Sequence, residues 1–95
     1  YVSCVNRGCD PLRFIESLPL HAVGQFHLAG FTRDSDALGA PLLIDSHGSA
    51  VDDAVWNLYR AVLARIGPRP TLIEWDNDVP QLSTWLGECD TARRY

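Results

Sequence analysis

The chain contains no methionine and no apolar run near the ~20 residues that a membrane-crossing helix requires. No basic stretch leads into an apolar one, so no signal peptide is legible. Cysteine is scarce. Cys4, Cys9 and Cys89 cannot all pair within one chain and show no CxxC spacing, so reduced thiols in a cytoplasmic protein are expected. The basic residues, Arg7, Arg13, Arg33, Arg60, Arg65, Arg69, Arg93 and Arg94, are scattered instead of gathered into a stripe with aromatics, and net charge is −4. A nucleic-acid groove is therefore not expected. Internal repeats and low-complexity stretches are absent, and so is the GxSxG elbow that would make Ser46, beside His47, a hydrolase nucleophile. The thiols fare no better as nucleophiles: Cys89 falls on an apolar helix face, and Cys4 and Cys9 have no histidine at a fixed local spacing.

What is present makes at most one small domain, because a chain of 95 residues buries only roughly 60–70% of its unfolded surface. Tyr1 is too bulky to follow a trimmed initiator methionine, so the chain is expected to be a piece of a longer protein. Tyr1-Val2-Ser3-Cys4-Val5 is β-prone and reads as the tail of a strand. Asp10 caps a short helix with Pro11 at its first position and Leu12, Phe14 and Ile15 on its buried face. Ala22 to Leu28 alternates as a strand, placing Gln25, His27 and Ala29 on one face and Phe26 and Leu28 on the other.

Gly30 to Pro41 reads as a polar loop and Leu42-Leu43-Ile44 as a short extended stretch. A helix is expected from Asp52 to Ile66, with Val55, Leu58, Tyr59, Val62, Leu63 and Ile66 at helical spacing and Gly67-Pro68 as its stop. Pro70 to Trp75 follows as a strand. Pro80 then opens a last helix with Leu82, Trp85, Leu86 and Cys89 along one face. Alternation of strands and helices implies parallel pairing.

Polar clusters end three of the apolar runs: Gln25-Phe26-His27-Leu28-Ala29-Gly30, Ile44-Asp45-Ser46-His47-Gly48 and Ile73-Glu74-Trp75-Asp76. Parallel strands deliver their carboxyl ends to one rim, where βα proteins keep their chemistry, so His27, Asp45, His47 and Glu74 are candidate ligands of one metal site. An extended backbone points Asp45 and His47 the same way. Two imidazoles and two carboxylates suit iron, manganese or zinc better than magnesium or calcium, and spacing does not choose among the three. Taken singly, the residues have plainer readings: His27 as a half-buried histidine bonded to a carbonyl, Asp45-Ser46-His47-Gly48 as a turn. Glu74, inside a strand between Ile73 and Trp75, needs a cation, a metal or solvent. Asp76 and Asp78 flank Asn77 in an expected exposed turn.

The same residues carry a resemblance. Val2-Ser3 through Asn6, Gly8, Asp10-Pro11, Leu18-Pro19-Leu20, Val23-Gly24, His27-Leu28-Ala29-Gly30, Leu43 to Gly48, Val55-Trp56, Leu58-Tyr59 and Pro70 to Asp76 with Pro80 resemble the multinuclear non-haem iron-dependent oxidative enzymes of the MbnB/TglH-like family. The resemblance spans almost the whole chain. It implies the C-terminal portion of a xylose-isomerase-like (β/α)8 TIM barrel, with parallel strands and covering helices: residues 1–95 would be a partial barrel domain lacking its N-terminal part. It further implies two or three iron ions, held here by His27, Asp45, His47 and Glu74 or their immediate neighbours, with other ligands from absent strands. The implied activity is oxygen-dependent modification of cysteines in ribosomally made precursor peptides, often with a small partner protein that presents the peptide. Phe31 and Arg7 stand where many relatives have histidine. Another divalent-metal isomerase or hydrolase on the same barrel, or a remnant without catalysis, are the competing readings, and the isolated piece is expected to be inactive and poorly stable.

Overall fold

Proline, glycine and acidic caps divide the chain into short elements. The computed structural model describes residues 1–95. In order they are α1 (Val2–Asn6), α2 (Pro11–Glu16), a 3-10 turn over Leu20–Ala22, β1 (Phe26–Ala29), β2 (Thr32–Ser35), β3 (Pro41–Ile44), α3 (Asp53–Ile66), β4 (Thr71–Glu74) and α4 (Leu82–Arg94). The architecture is mixed α/β with one parallel strand pair. β1 and β4 run side by side in the register Leu28↔Ile73 and Ala29↔Glu74, joined through α3.

Two expectations about backbone are corrected. Val2–Asn6 is helical, not extended, although valine favours strands. Tertiary contacts override that preference: Cys4 is buried, and Asn6 grips β3 by donating from Nδ2 to the Leu43 carbonyl (2.8 Å) and accepting the Leu43 amide at Oδ1 (2.9 Å). The segment from Gly30 to Pro41 is likewise no loop. Thr32–Ser35 pairs antiparallel with Pro41–Ile44, so the strands are not all parallel and a hairpin interrupts the path from β1 to α3. The Thr32-Arg33-Asp34-Ser35 run is exposed throughout and has no apolar alternation to betray it. Its turn is set by Asp36, whose carboxylate accepts the Leu38 and Ala40 amides, with Gly39 at φ 81°.

The core lies between the parallel pair and the two long helices. Leu28, Val51, Trp56, Tyr59 and Ile73 form it, with Phe26, Val55, Leu63, Trp85, Cys89 and Ala92 against them. Phe26 and Trp56 both meet the Tyr59 ring edge-on, and the Tyr59 hydroxyl reaches Thr71 Oγ1 at 2.9 Å. Trp85 Nε1 donates to the Ile73 carbonyl (3.0 Å), which fastens α4 to β4. The inward face of α4 is therefore Trp85, Cys89 and Ala92. Leu82 and Leu86, expected beside them, are exposed, as is Phe14 on α2. All three cysteines are free thiols, and no helix is long and apolar enough to cross a membrane.

α3 is the firmest of the sequence-derived elements, and its cap explains why. The Asp52 carboxylate accepts the Ala54 amide (2.9 Å) and pairs with Arg33 Nη1 (3.0 Å). The Ala54 bond and then the guanidinium hold the Asp52 carboxyl below its ordinary value. The stabilisation is thus present above the unfolded carboxylate's pKa of about 3.8 and is lost as pH falls through the lower folded value. Asp52→Ala should cost about 1 kcal/mol at neutral pH in urea denaturation, with Asp52→Asn recovering most of it. An alanine variant as stable as the parent would remove this cap from the account.

Candidate metal centre

Period-two alternation sends Leu28 and Ile73 into the core and leaves His27 and Glu74 on the other face of the parallel pair. His27 Nδ1 stands 3.3 Å from Glu74 Oε2. The second Glu74 oxygen, Oε1, lies 3.7 Å from Nδ1 of His47. That same nitrogen is 3.0 Å from Asp76 Oδ2, and His47 Nε2 is 3.1 Å from Asp45 Oδ1. All four expected residues therefore gather at the carboxyl ends of the strands, and Asp76 joins them. His47, Glu74 and Asp76 each offer a ligand atom, all within 4.8 Å of one another.

Asp76 was missed as a ligand because a carboxylate next to Asn77 and Asp78 reads as an ordinary turn. The signal available in the sequence was its adjacency to Glu74-Trp75 in one motif. The route by which Asp45 meets His47 also differs from expectation. His47 has φ 49°, left-handed and not extended, so the two side chains converge through a turn. Three backbone bonds hold that turn. The His47 amide donates to the Gly30 carbonyl (3.2 Å), and the His47 carbonyl accepts the Asp76 amide (2.8 Å) and the Asn77 amide (3.2 Å). Asn77 Nδ2 adds a bond to the Ser46 carbonyl (2.7 Å).

Gly30 is required by close approach. A Cβ there would overlap the carbonyl oxygen and hydroxyl of Ser49, because the segment after Gly48 passes directly over the end of β1. Phe31 follows it into the interior, where it stacks on Tyr1 with ring centroids 5.5 Å apart and lies beneath the Arg33 guanidinium. At that position this chain has packing, not a donor. From the other side, the Glu88 carboxylate on α4 accepts the Val51 amide (2.8 Å) and pins the far end of the same loop.

Over residues 1–95 the sequence matches the family described as RiPP precursor modification enzyme MbnB/TglH/ChrH. The chain belongs to that family. It is 51% identical over 90 residues to a UPF0276 protein of Bordetella bronchiseptica, which covers 95% of this chain and 31% of the relative. A UPF0276 protein of Caulobacter vibrioides is 47% identical over 92 residues, 97% of this chain and 32% of that one. One of Acaryochloris marina is 40% identical over 95 residues, 100% of this chain and 33% of the relative. The chain thus spans about a third of the length of the curated relatives it matches. No solved structure matches it.

In this MbnB/TglH/ChrH-family chain the cluster gathers three carboxylates around one imidazole. The Asp76 hydrogen bond raises the His47 pKa above its ordinary 6.5, with the charges of Asp45 and Glu74 adding to it and burial opposing it. The donor set fits a transition metal, and His47 Nδ1, 3.0 Å from Asp76 and 3.7 Å from Glu74, lies from both within the roughly 4.2 Å that two donors on one ion with bonds of about 2.1 Å can span.

Because a ligating imidazole must lose its proton, a metal at His47 would compete with that proton. In the metal-free protein the protonated ring stabilises the fold fully below about pH 6.5, and that contribution is lost as pH rises through the raised folded value. NMR titration of the His47 ring should give a pKa above 6.5, falling in Asp76→Asn. An unshifted ring in the parent protein would contradict the hydrogen bond. Gly30→Ala should cost about 1–3 kcal/mol by overpacking and displace His47, read as lost stability together with weakened Co²⁺ binding. A stable Gly30→Ala protein with undiminished binding would refute the close approach.

Proposed function

We propose that this chain is part of an iron-dependent oxidative enzyme that modifies cysteines of ribosomally synthesised precursor peptides. The observation that carries the reading is the placement of Glu74. Its two oxygens face two different imidazoles, His27 at 3.3 Å and His47 at 3.7 Å, which suits a carboxylate shared between two ions. On this reading His47, Glu74 and Asp76 hold one ion, and His27 with the second Glu74 oxygen offers part of another. Asp45, on the opposite ring nitrogen, fixes the orientation of the His47 imidazole and raises its basicity.

The parallel pair is read as a portion of a (β/α)8 barrel spanning residues 1–95. The outer edges of β1 and β4 are unpaired, and Leu72, on the face away from α3, is 49% exposed, as expected where further strands and their ligands complete a closed barrel. The threefold greater length of the relatives gives room for those strands. The three free thiols accord with a reducing, cytoplasmic setting.

Bound iron supplies redox chemistry toward oxygen and an affinity for thiolate. The chain's own residues do the positioning. The strained His47 turn is fixed by backbone bonds to Gly30, Asp76 and Asn77 just beyond both strand ends, so it needs no reorganisation when a substrate arrives. Asp45, with its side chain 67% exposed, is the most accessible carboxylate of the group and stands ready to accept the proton of an incoming cysteine. The peptide, and a small protein that presents it, are the partners this reading implies.

The test uses the full-length parent, purified anaerobically from cells grown on enriched iron. Mössbauer spectroscopy should show two or more irons per chain. His47→Ala and Asp76→Ala should each lower iron content and stop oxygen-dependent peptide modification, whereas Asp78→Ala should leave both intact. A single zinc or manganese ion with activity that persists without oxygen would overturn the reading in favour of a hydrolase or isomerase.

A further inference from the structure

A cleft of the chain lies away from the metal cluster. It has a volume of about 750 Å³ and opens between α3 and α4, at the amino end of β4, with Tyr59, Leu63 and Ile73 on its apolar lining. A cavity of this size accommodates a ligand of many atoms. Four of the chain's eight basic residues, Arg60, Arg69, Arg93 and Arg94, line it, and none of its twelve acidic residues does. In a chain of net charge −4 this is a local reversal of sign.

Only one of these arginines is neutralised: Arg93 pairs with Asp90 at 2.7 Å. Arg60, Arg69 and Arg94 have no carboxylate partner. Each is held by a different neutral neighbour. Arg60 lies over the Tyr95 ring (5.1 Å), Arg69 donates to the Val23 and Pro68 carbonyls, and Arg94 donates to Thr91 Oγ1. Their charges are therefore left uncompensated by any carboxylate at the cleft. A lone phosphate would leave the apolar floor unused, whereas several cations around that floor suit an acidic chain segment with apolar side chains between its carboxylates.

We infer that this cleft docks an acidic, apolar-studded segment of a peptide substrate, away from the segment that reacts. The inference rests on the peptide-modifying reading for its occupant, and on the cleft alone for its chemistry. Thr71 lines the cleft and Glu74 the metal cluster, three residues apart on β4, which is about 10 Å of strand. The Tyr59 hydroxyl contact places Thr71 toward α3, on the sheet face opposite Glu74. A peptide held at the cleft must pass around the sheet to reach the cluster, so docking and reacting segments are separate parts of the substrate.

The probe is a fluorescein-labelled synthetic peptide alternating glutamate with leucine and phenylalanine, titrated into the purified full-length parent and read by anisotropy. Saturable binding is expected, weakened about tenfold or more by combined Arg60→Glu and Arg94→Glu and weakened by added salt. The milder pair Arg60→Gln and Arg94→Gln should give a smaller loss, with circular dichroism unchanged, which separates lost charge from lost fold. A lysine-for-glutamate peptide that binds equally well, or reversed-charge variants that bind normally, would overturn the proposal. Competition by inorganic phosphate as effective as by unlabelled peptide would reduce the cleft to an anion site and also overturn it. Metal content measured on the same samples should not change with the arginine substitutions. Lost peptide binding with normal metal then counts against the cleft alone, and absent metal with normal peptide binding against the metal reading alone.

Discussion

The backbone at His47 is the constraint on which the rest of the site depends. A non-glycine residue at φ 49° costs of order 1–3 kcal/mol and persists only where the surroundings over-determine it. Here they do. The amide of His47 is tied to Gly30 at the end of β1, and its carbonyl is tied to Asp76 and Asn77 just beyond β4. One residue therefore bridges both parallel strands without belonging to either. The strain brings the His47 ring and Asp45 from one loop, Glu74 and Asp76 from the end of β4 and the His27 side chain of β1 into a single cluster. Gly30 serves the same end by allowing the returning loop to lie against β1, and Glu88 holds that loop from the opposite side.

Much of this was legible in the sequence, for reasons that can be located. α3 announces itself through Asp52, Gly67 and a sustained helical period, and β1 and β4 through alternation that survives burial on one face. His27, Asp45, His47 and Glu74 could be nominated because polar residues at the ends of apolar runs violate the local pattern. What escaped was structure without such contrast. Thr32-Arg33-Asp34-Ser35 is polar on both faces, so its strand exists through pairing with β3 and through the Asp36 turn, neither of which has a period. Val2–Asn6 escaped for the opposite reason. Its local preference is clear but yields to the anchoring of Asn6 on Leu43 and the burial of Cys4. Asp76 was hidden among turn residues, and only the position of β4 reveals that it faces His47.

Thinness of the core follows from the same topology. Only 10 of 95 residues are buried, and the one core cluster, Leu28, Val51, Trp56, Tyr59 and Ile73, lies on the helix-facing side of two paired strands. The other side carries His27, Leu72 and Glu74. A sheet with both faces covered hides an apolar residue at every position, whereas here the uncovered face mixes ligands with Leu72. On the proposed barrel reading such a face would line the inside of the mouth, where side chains near the amino ends fill the interior and those at the carboxyl ends hold the chemistry. The distribution of burial and the distribution of function are thus one pattern, read along β4 from Leu72 to Glu74.

Charge is divided along the same axis. Asp45, Glu74, Asp76 and Asp78 stand at the carboxyl ends of the parallel pair, and Arg60, Arg69, Arg93 and Arg94 border the cleft at the other end. Each group serves its own end. Carboxylates crowded around His47 raise its basicity and favour a cation that replaces its proton. The same crowding would repel an acidic substrate approaching from that side. The arginines border a cleft whose Thr71 lies about 10 Å along β4 from Glu74 and on the other sheet face, where on the docking proposal their attraction would not compete with the cation. On the proposed reading, a peptide whose acidic part and reacting part are separated in sequence would meet both demands at once, whereas one carrying its carboxylates beside the reacting residue would be opposed by the cluster it must enter.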